Sequence, residues 1–326
     1  MSMPVLGIDV SKAKLDVELR ENGKRERRSF DNTRQGCSQL LNWIKKQGIV
    51  QVHACMEATG RYWEAAAQAL HAAGHEVSVV NPLRIKRHAE EEMQRNKTDG
   101  VDSGIISSFC AEHGADLRRW TPPAQEIKAL REFYGRYDDL IGMRVQEINR
   151  LKSGSHDPQI KALLKSSISF LNKQIDQVRA LIEATLKQHP RLHERSQLLE
   201  SIGGIAVLTA GRLLAFEIDQ FDDASAVAAY AGVTPRRNES GKTCRRTHIS
   251  RIGHAELRRA LYMPAMNSMR SNPVIKRLIE RLRKNGLSGR QLVVAALHKL
   301  LHLAYGVLKT GVPFDPDWAT RRLTPP

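Results

Sequence analysis

The chain reads as an α/β domain on a sheet of short strands, followed by a mainly α-helical half, and three observations predict this division. Short β-type runs alternate with helical stretches up to about residue 121. The pair Pro122-Pro123 then interrupts the pattern, and beyond it apolar residues recur at helical spacing. Taken in order, VLGIDVS (Val5 to Ser11), KLDVELREN and RERRSF are three strands, the last two joined by ENGK, whose Asn-Gly pair favours a two-residue hairpin turn. Asn32 caps a helix running to about Gln47, VQVHACMEA is a fourth strand, RYWEAAAQALHAAG is a helix ended by Gly74, and HEVSVVNP is a fifth strand. A further helix opens at NKTDGVDS. The order βββαβαβα is that of ribonuclease-H-like domains, a fold-level analogy that makes the first and fourth strands neighbours.

Past the prolines, Ile127, Leu130, Tyr134, Tyr137, Ile141, Ile148 and Leu151 form one helical stripe, and a second runs from Ile160 through Leu171 and Ile175 to Ile182. SGSHDP separates them, which predicts an antiparallel helical hairpin, packed on the core or offered to another protomer as a coiled coil. His189-Pro190 closes it. LLESIGGIAVLTAGRLLAFE then places a Gly-Gly turn between two helical stretches, like a helix-hairpin-helix that offers backbone N–H groups to a phosphate; a plain glycine-containing turn is the competing reading. The expected divisions are 1–121, 122–190 and 191–326.

Fifty-one Lys and Arg against thirty-five Asp and Glu leave a formal charge of +16. A surplus that large calls for a polyanionic partner, nucleic acid before an anionic membrane. No run of about 18 uninterrupted apolar residues occurs and the start lacks a charged-then-apolar leader, so the expected location is cytoplasmic, on the nucleoid when DNA is bound. Cys37, Cys55, Cys110 and Cys244 lie far apart with no Cys-x-x-Cys pair, which predicts reduced thiols rather than a zinc site or disulfides. His298 and His302 have the four-residue spacing of ligands on one helix face, but an amphipathic helix explains them.

Asp9, in GIDVSK, and Glu57, in ACMEATG, each interrupt an otherwise apolar strand, and an acid is costly to bury there alone. Asp99 and Asp102, three apart at a helix start, point to one helix face; complementing the helix dipole is their bland explanation. If the first and fourth strands are neighbours and the helix returns its start to their ends, the four carboxylates converge. Four converging carboxylates repel unless divalent cations lie between them, and hard oxygen ligands suit Mg²⁺. Two such ions can stabilise the attacking and leaving oxygens of a phosphodiester displacement.

Residues 236 to 259 carry eight Lys or Arg against two acids, a run that is usually a solvated loop. Within it, Ser240-Gly241-Lys242-Thr243 looks like the end of a nucleotide-binding phosphate loop. That loop needs a glycine five positions before Gly241, where this chain has Arg236, and an apolar strand before it, where this chain has Pro235 and two arginines. The phosphate-loop reading therefore fails. Ser240 is left as a hydroxyl beside a glycine in a basic cradle.

GIDVSK, MEATG and NKTDGVD in the first half, with AGVTPRRNESG and ISRIGHAELRRALYMPAM in the second, closely resemble transposases of the insertion-sequence 110 family, which also contains Piv-type DNA invertases. The resemblance covers nearly the whole chain. It implies a ribonuclease-H-like (Holliday-junction-resolvase-like) catalytic domain, a helical hairpin or coiled-coil linker, and a mainly α C-terminal transposase domain. It also implies a DEDD metal-binding tetrad at Asp9, Glu57, Asp99 and Asp102, with Mg²⁺ as cofactor and Mn²⁺ as substitute, and Ser240 as the nucleophile of a covalent phosphoserine. The implied partners are double-stranded donor and target DNA, a structured non-coding guide (bridge) RNA, and further copies of the chain, a dimer becoming a tetramer in the synaptic complex. Arg236, Arg237, Lys242, Arg245, Arg246, Arg251, Arg258 and Arg259 are the candidate nucleic-acid contacts. The chain departs from the family pattern at Ser103-Gly104, where a better helix former is expected, and this predicts a less stiff helix after Asp102.

Three rival readings remain at this level. A structure-specific nuclease of the Holliday-junction-resolvase type would use the same acids with water and make Ser240 dispensable. A non-catalytic nucleic-acid binder needs the charge but gives the acids no purpose. An actin-like sugar kinase shares GIDVSK superficially but requires a second glycine-rich phosphate loop, which this chain lacks.

Overall fold

A computed structural model describes residues 3–58, 60–91, 99–154, 157–236, 239–240, 243–244, 248–249 and 252–317. The chain divides into two compact units, Met1–Pro123 and Ala124–Pro326.

The first unit contains β1 (Val5–Val10), β2 (Lys14–Glu21), β3 (Lys24–Asp31), α1 (Arg34–Lys46), β4 (His53–Glu57), α2 (Glu64–Ala72), β5 (Glu76–Val80), α3 (Pro82–Glu91) and α4 (Asp99–His113). The five strands form one sheet in the order β3-β2-β1-β4-β5. β2 is antiparallel to both β1 and β3, whereas β4 is parallel to both β1 and β5, so the first and fourth strands are neighbours as expected. Asn22 and Gly23 take φ of 46° and 81°, the paired positive values of a tight hairpin turn that matches strand twist. The cap of α1 is Thr33, whose hydroxyl accepts from Gly36 N at 3.1 Å, and not Asn32. Asn32 instead donates to the carbonyls of Ser11 and Tyr62 at 2.8 and 3.0 Å, tying two loops together. α3 is an addition to the expected order; its start is legible as Asn81-Pro82, with the Asn81 side chain accepting from Leu83 N.

Strand alternation gives the sheet two buried faces. Leu6, Ile8, Ala54 and Met56 pack with Leu40, Trp43 and Ile44 of α1 and Ala66 and Leu70 of α2. On the other face Cys55 and Val80 pack with Ile85 of α3 and with Ile105, Ile106, Phe109 and Cys110 of α4. Cys37, Cys55 and Cys110 are buried, free thiols.

The second unit contains α5 (Gln125–Lys152), α6 (Pro158–Gln188), α7 (Pro190–Glu200), α8 (Val207–Ala215), α9 (Ala224–Tyr230), the two-residue strands β6 (Pro235–Arg236), β7 (Glu239–Ser240), β8 (Thr243–Cys244) and β9 (His248–Ile249), and then α10 (Ala255–Ala260), α11 (Tyr262–Ser271), α12 (Pro273–Lys284) and α13 (Arg290–Thr310). α5 and α6 form the expected helical pair, with Asp157 capping α6 through Gln159 N and Pro158 in its first turn. Leu130 and Leu140 of α5 and Ile182 and Leu186 of α6 share one core with Leu213, Leu257, Leu297 and Leu300. Arg212, 8% exposed, joins α8 to α5 by a two-pronged bond to Asp138 (2.6 and 2.7 Å) while lying 4.5 Å above the Tyr134 ring. The glycines between α7 and α8 are needed for packing: a Cβ on Gly203 would stand 2.7 Å from Ser271 O, and one on Gly204, at φ 104°, 2.7 Å from the Ser268 Cβ. α13 is long and apolar enough to cross a membrane by length and composition, but Leu292, Ala296, Leu300 and Ala304 are buried in this core. His298 and His302 stack on that helix at 4.4 Å.

Candidate active site

The parallel ladder of β1 with β4 runs from Val5 opposite His53 to Ile8 opposite Met56. Asp9 and Glu57 are the next residues, so they stand side by side at neighbouring strand ends, on backbones about 4.8 Å apart. Alternation puts Asp9 on the face of Gly7 and Glu57 on the face of Cys55. That is the α4 face, because Cys55 packs on α4 and a Cβ on Gly7 would lie 2.4 Å from both Ser103 O and Ser107 N. Both acids are half-buried.

The direction of α4 decides whether its acids arrive at the same place. Near its end, Cys110 Sγ lies 3.8 Å from His53 O, and a Cβ on Gly114 would be 3.1 Å from His53 Nδ1, at the start of β4. Its middle, Ser103 to Ser107, meets Gly7 in the middle of β1. The helix therefore runs antiparallel to both strands. At about 3.3 Å per strand residue and 1.5 Å per helix residue, the step from Gly7 to Asp9 corresponds to about four helix positions. This brings half-buried Asp102 level with Asp9 and Glu57. Asp99 is the first residue of α4; its side chain lies outside the described residues. Carboxylate oxygens at two strand ends and a helix start are the donor type that a hard cation such as Mg²⁺ takes.

The Ser103-Gly104 pair, expected to loosen this helix, instead lets it close on the sheet. α4 is continuous from Asp99 to His113, Ser103 is fully buried, and a Cβ on Gly104 would stand 2.9 Å from Arg27 Nη2 and 3.0 Å from Glu18 Oε2. Glu18, a residue that sequence reasoning missed, holds the contact together. Its fully buried carboxylate accepts from Ser107 Oγ at 2.6 Å, Arg27 Nε at 2.7 Å and Arg20 Nε at 2.9 Å, and Arg20 also donates to Gly104 O. Burial pushes its pKa up, but the Ser107 hydroxyl and the two guanidinium groups outweigh this and hold it below the ordinary 4.5. A signal was available: counting outward from the Asn22-Gly23 turn pairs Glu18 with Arg27, as the ladder shows.

In the second unit the described residues of the basic run include two short ladders. One pairs Pro235 with Ile249 and Arg236 with His248, and the other pairs Glu239 with Cys244 and Ser240 with Thr243. In sequence, Ser240 is followed by Gly241 and Lys242. Those two, with Arg237, Arg245, Arg246 and Arg251, lie outside the described residues. The base of the run is tied to the helical core. His254 N donates to Tyr230 O at 2.6 Å, and a Cβ on Gly253, at φ 148°, would be 2.3 Å from the same oxygen. Arg258 Nη1 donates to Ala231 O at 2.8 Å, whereas Arg259 is exposed. His254 Nδ1 caps α10 from a pocket against Phe216 and Tyr230, and burial there lowers its pKa.

With this geometry in view, comparison with known proteins finds two family matches, one described as transposase over residues 6–154 and one as transposase, IS116/IS110/IS902 family, over residues 196–280. The chain is 30% identical to the pilin gene-inverting protein of Moraxella bovis across 97% of its own length and 98% of that protein. It is 29% identical to an uncharacterized 43.6 kDa protein of insertion element IS110 from Streptomyces coelicolor, across 47% of its length and 37% of that protein. A solved structure of T. thermophilus RuvC with a Holliday junction substrate aligns to 36% of this chain and all of its own, at 14% identity and a TM-score of 0.29.

Proposed function

This chain belongs to the IS110 family of transposases and is a DNA recombinase, and from that premise we propose that it exchanges donor and target strands through a covalent phosphoserine at Ser240. The observation that carries the reading is likeness along the whole chain to a protein named for inverting a gene. The adjacency of Asp9 and Glu57 at parallel strand ends, with Asp102 level with them, supports it.

In this reading Asp9, Glu57, Asp99 and Asp102 are the ligands of Mg²⁺, which when bound supplies charge stabilisation for the attacking and leaving oxygens. Ser240 Oγ attacks a DNA phosphate. Its Oγ–P bond forms as a P–O bond to deoxyribose breaks, and the serine proton ends on the departing DNA hydroxyl. The phosphoserine keeps the energy of the phosphodiester, so a second DNA hydroxyl can reverse the step without a nucleotide. Arg236, Arg237, Lys242, Arg245 and Arg246 neutralise the transferring phosphoryl group, and Gly241 allows the backbone to approach it. Arg251 and Arg259 hold flanking phosphates, a positioning role that does not specify sequence. A structured RNA that pairs with donor and target DNA supplies that choice, on a homo-oligomer of the chain.

The test is adduct trapping with purified protein, labelled element-end and target DNA, Mg²⁺ and the element's transcript. Wild type should leave DNA on Ser240 after denaturation. Ser240→Ala should bind nucleic acid yet leave no adduct, and Asp102→Asn should lower adduct at least about 100-fold. Cleavage by Ser240→Ala at the wild-type rate would make water the nucleophile and overturn the reading. Undiminished site-specific product after ribonuclease treatment would remove the RNA.

A further inference from the structure

We propose that His88, Glu112 and His113 form a second metal site, for Zn²⁺, at the opposite end of α4 from Asp102. His88 comes from α3 and is 5% exposed, while Glu112 and His113 close the last turn of α4. One ligand atom from each lies within 4.8 Å of the others, with His88 Nδ1 3.9 Å from Glu112 Oε2. Phe109 forms an apolar wall, its ring 5.5 Å from that of His88 and 4.8 Å from that of His113, and Arg84 covers it 5.2 Å from the ring centre.

The ligand type separates this site from the carboxylate end of the helix. Two imidazoles and one carboxylate are borderline donors suited to tetrahedral Zn²⁺, whereas Mg²⁺ takes oxygen. Ligands on bonds of about 2.0–2.1 Å stand roughly 3.3 Å apart around a tetrahedral ion. Closing from 4.8 Å to that spacing needs only side-chain rotation of Glu112, which is 57% exposed, and of half-buried His113. A water takes the fourth position. Ten residues at 1.5 Å separate Glu112 from Asp102, roughly 15 Å along the helix, so the two ions would not share ligands. The Zn²⁺ would staple α3 to α4 and thereby hold the helix that carries Asp102 against the sheet.

The test uses full-length protein stripped with a chelator, given Zn²⁺ in excess Mg²⁺ and desalted. One Zn²⁺ per chain should remain by elemental analysis, Co²⁺ in its place should give the visible absorption of a tetrahedral ion, and Zn²⁺ should raise the melting temperature by roughly 5 °C. The variant Glu112→Gln with His113→Gln, changed at the outer edge where folding is least at risk, should weaken Zn²⁺ binding at least tenfold and abolish the thermal shift. Asp102→Asn should keep both. No stoichiometric Zn²⁺ on the wild type, retention in the double variant, or loss in Asp102→Asn would each overturn the proposal and leave His88 and Glu112 as neighbouring polar side chains.

Discussion

The two units hold their candidate reactive groups in different ways. In the first, Asp9 and Glu57 extend a parallel ladder and Asp102 rides on a helix packed at backbone contact with Gly7. Moving any of them means breaking a sheet or repacking a buried face. In the second, Ser240 belongs to ladders of two residue pairs each, tied to the helical core through Gly253, His254 and Arg258 among the described residues. The difference is one of support: long ladders and a packed helix fix Asp9, Glu57 and Asp102, whereas among the described residues Ser240 is paired only within a two-residue ladder.

The first unit's dependence on close approach predicts the largest effect. Gly7→Ala puts a Cβ 2.4 Å from backbone atoms of Ser103 and Ser107, neither of which can turn aside. Overpacking of that kind costs about 3 kcal/mol or more, and strand exchange should fall with it. Urea unfolding showing a loss below about 1 kcal/mol would mean that the helix is not held where the contact implies.

Glu18→Gln comes next. It leaves Arg20 and Arg27 without their carboxylate and should cost about 2–3 kcal/mol, less than a fully enclosed pair because both arginines reach solvent. The sign of its pH dependence follows from the lowered pKa. Glu18 adds stability above its unfolded value near 4.5, and this is lost as pH falls through the lower folded value. Thermal melts of wild type and variant should therefore converge at acid pH. A constant gap from pH 7 to pH 3 would show that the charge contributes nothing.

The smallest effect separates two neighbouring arginines of the second unit. Arg258→Met removes the bond to Ala231 O and should cost about 1 kcal/mol while leaving the salt dependence of DNA binding unchanged. Arg259→Met should leave stability unchanged and reduce the slope of log affinity against log salt by about 1. Reversed results would make Arg258 the phosphate contact and Arg259 the anchor.

Much of this was legible in local pattern, because local pattern is what strands, turns and helices respond to. The Asn-Gly turn fixed the β2–β3 register, helical periodicity marked α5 and α6, and the segments around Asp9, Glu57, Asp102 and Ser240 carried the family likeness. Asn32 was misread as a cap because Thr33 beside it is equally suited, and only the distant carbonyls of Ser11 and Tyr62 show where the amide goes. α3 was missed although Asn81-Pro82 announces it.

What the sequence alone determined, then, is the set of elements and the family, since propensity, turn chemistry and motif spacing act over a few residues. Tertiary structure alone decided that α4 runs antiparallel to β1 and β4, which sets Asp102 level with Asp9 and Glu57 along the helix axis and leaves Glu112 and His113 beside His88. It also reversed the meaning of Ser103-Gly104. Helix propensity counts a glycine as a weak point, but propensity is worth about 1 kcal/mol, and a side chain at position 104 would press on the buried Glu18 carboxylate, which ties the helix to the sheet.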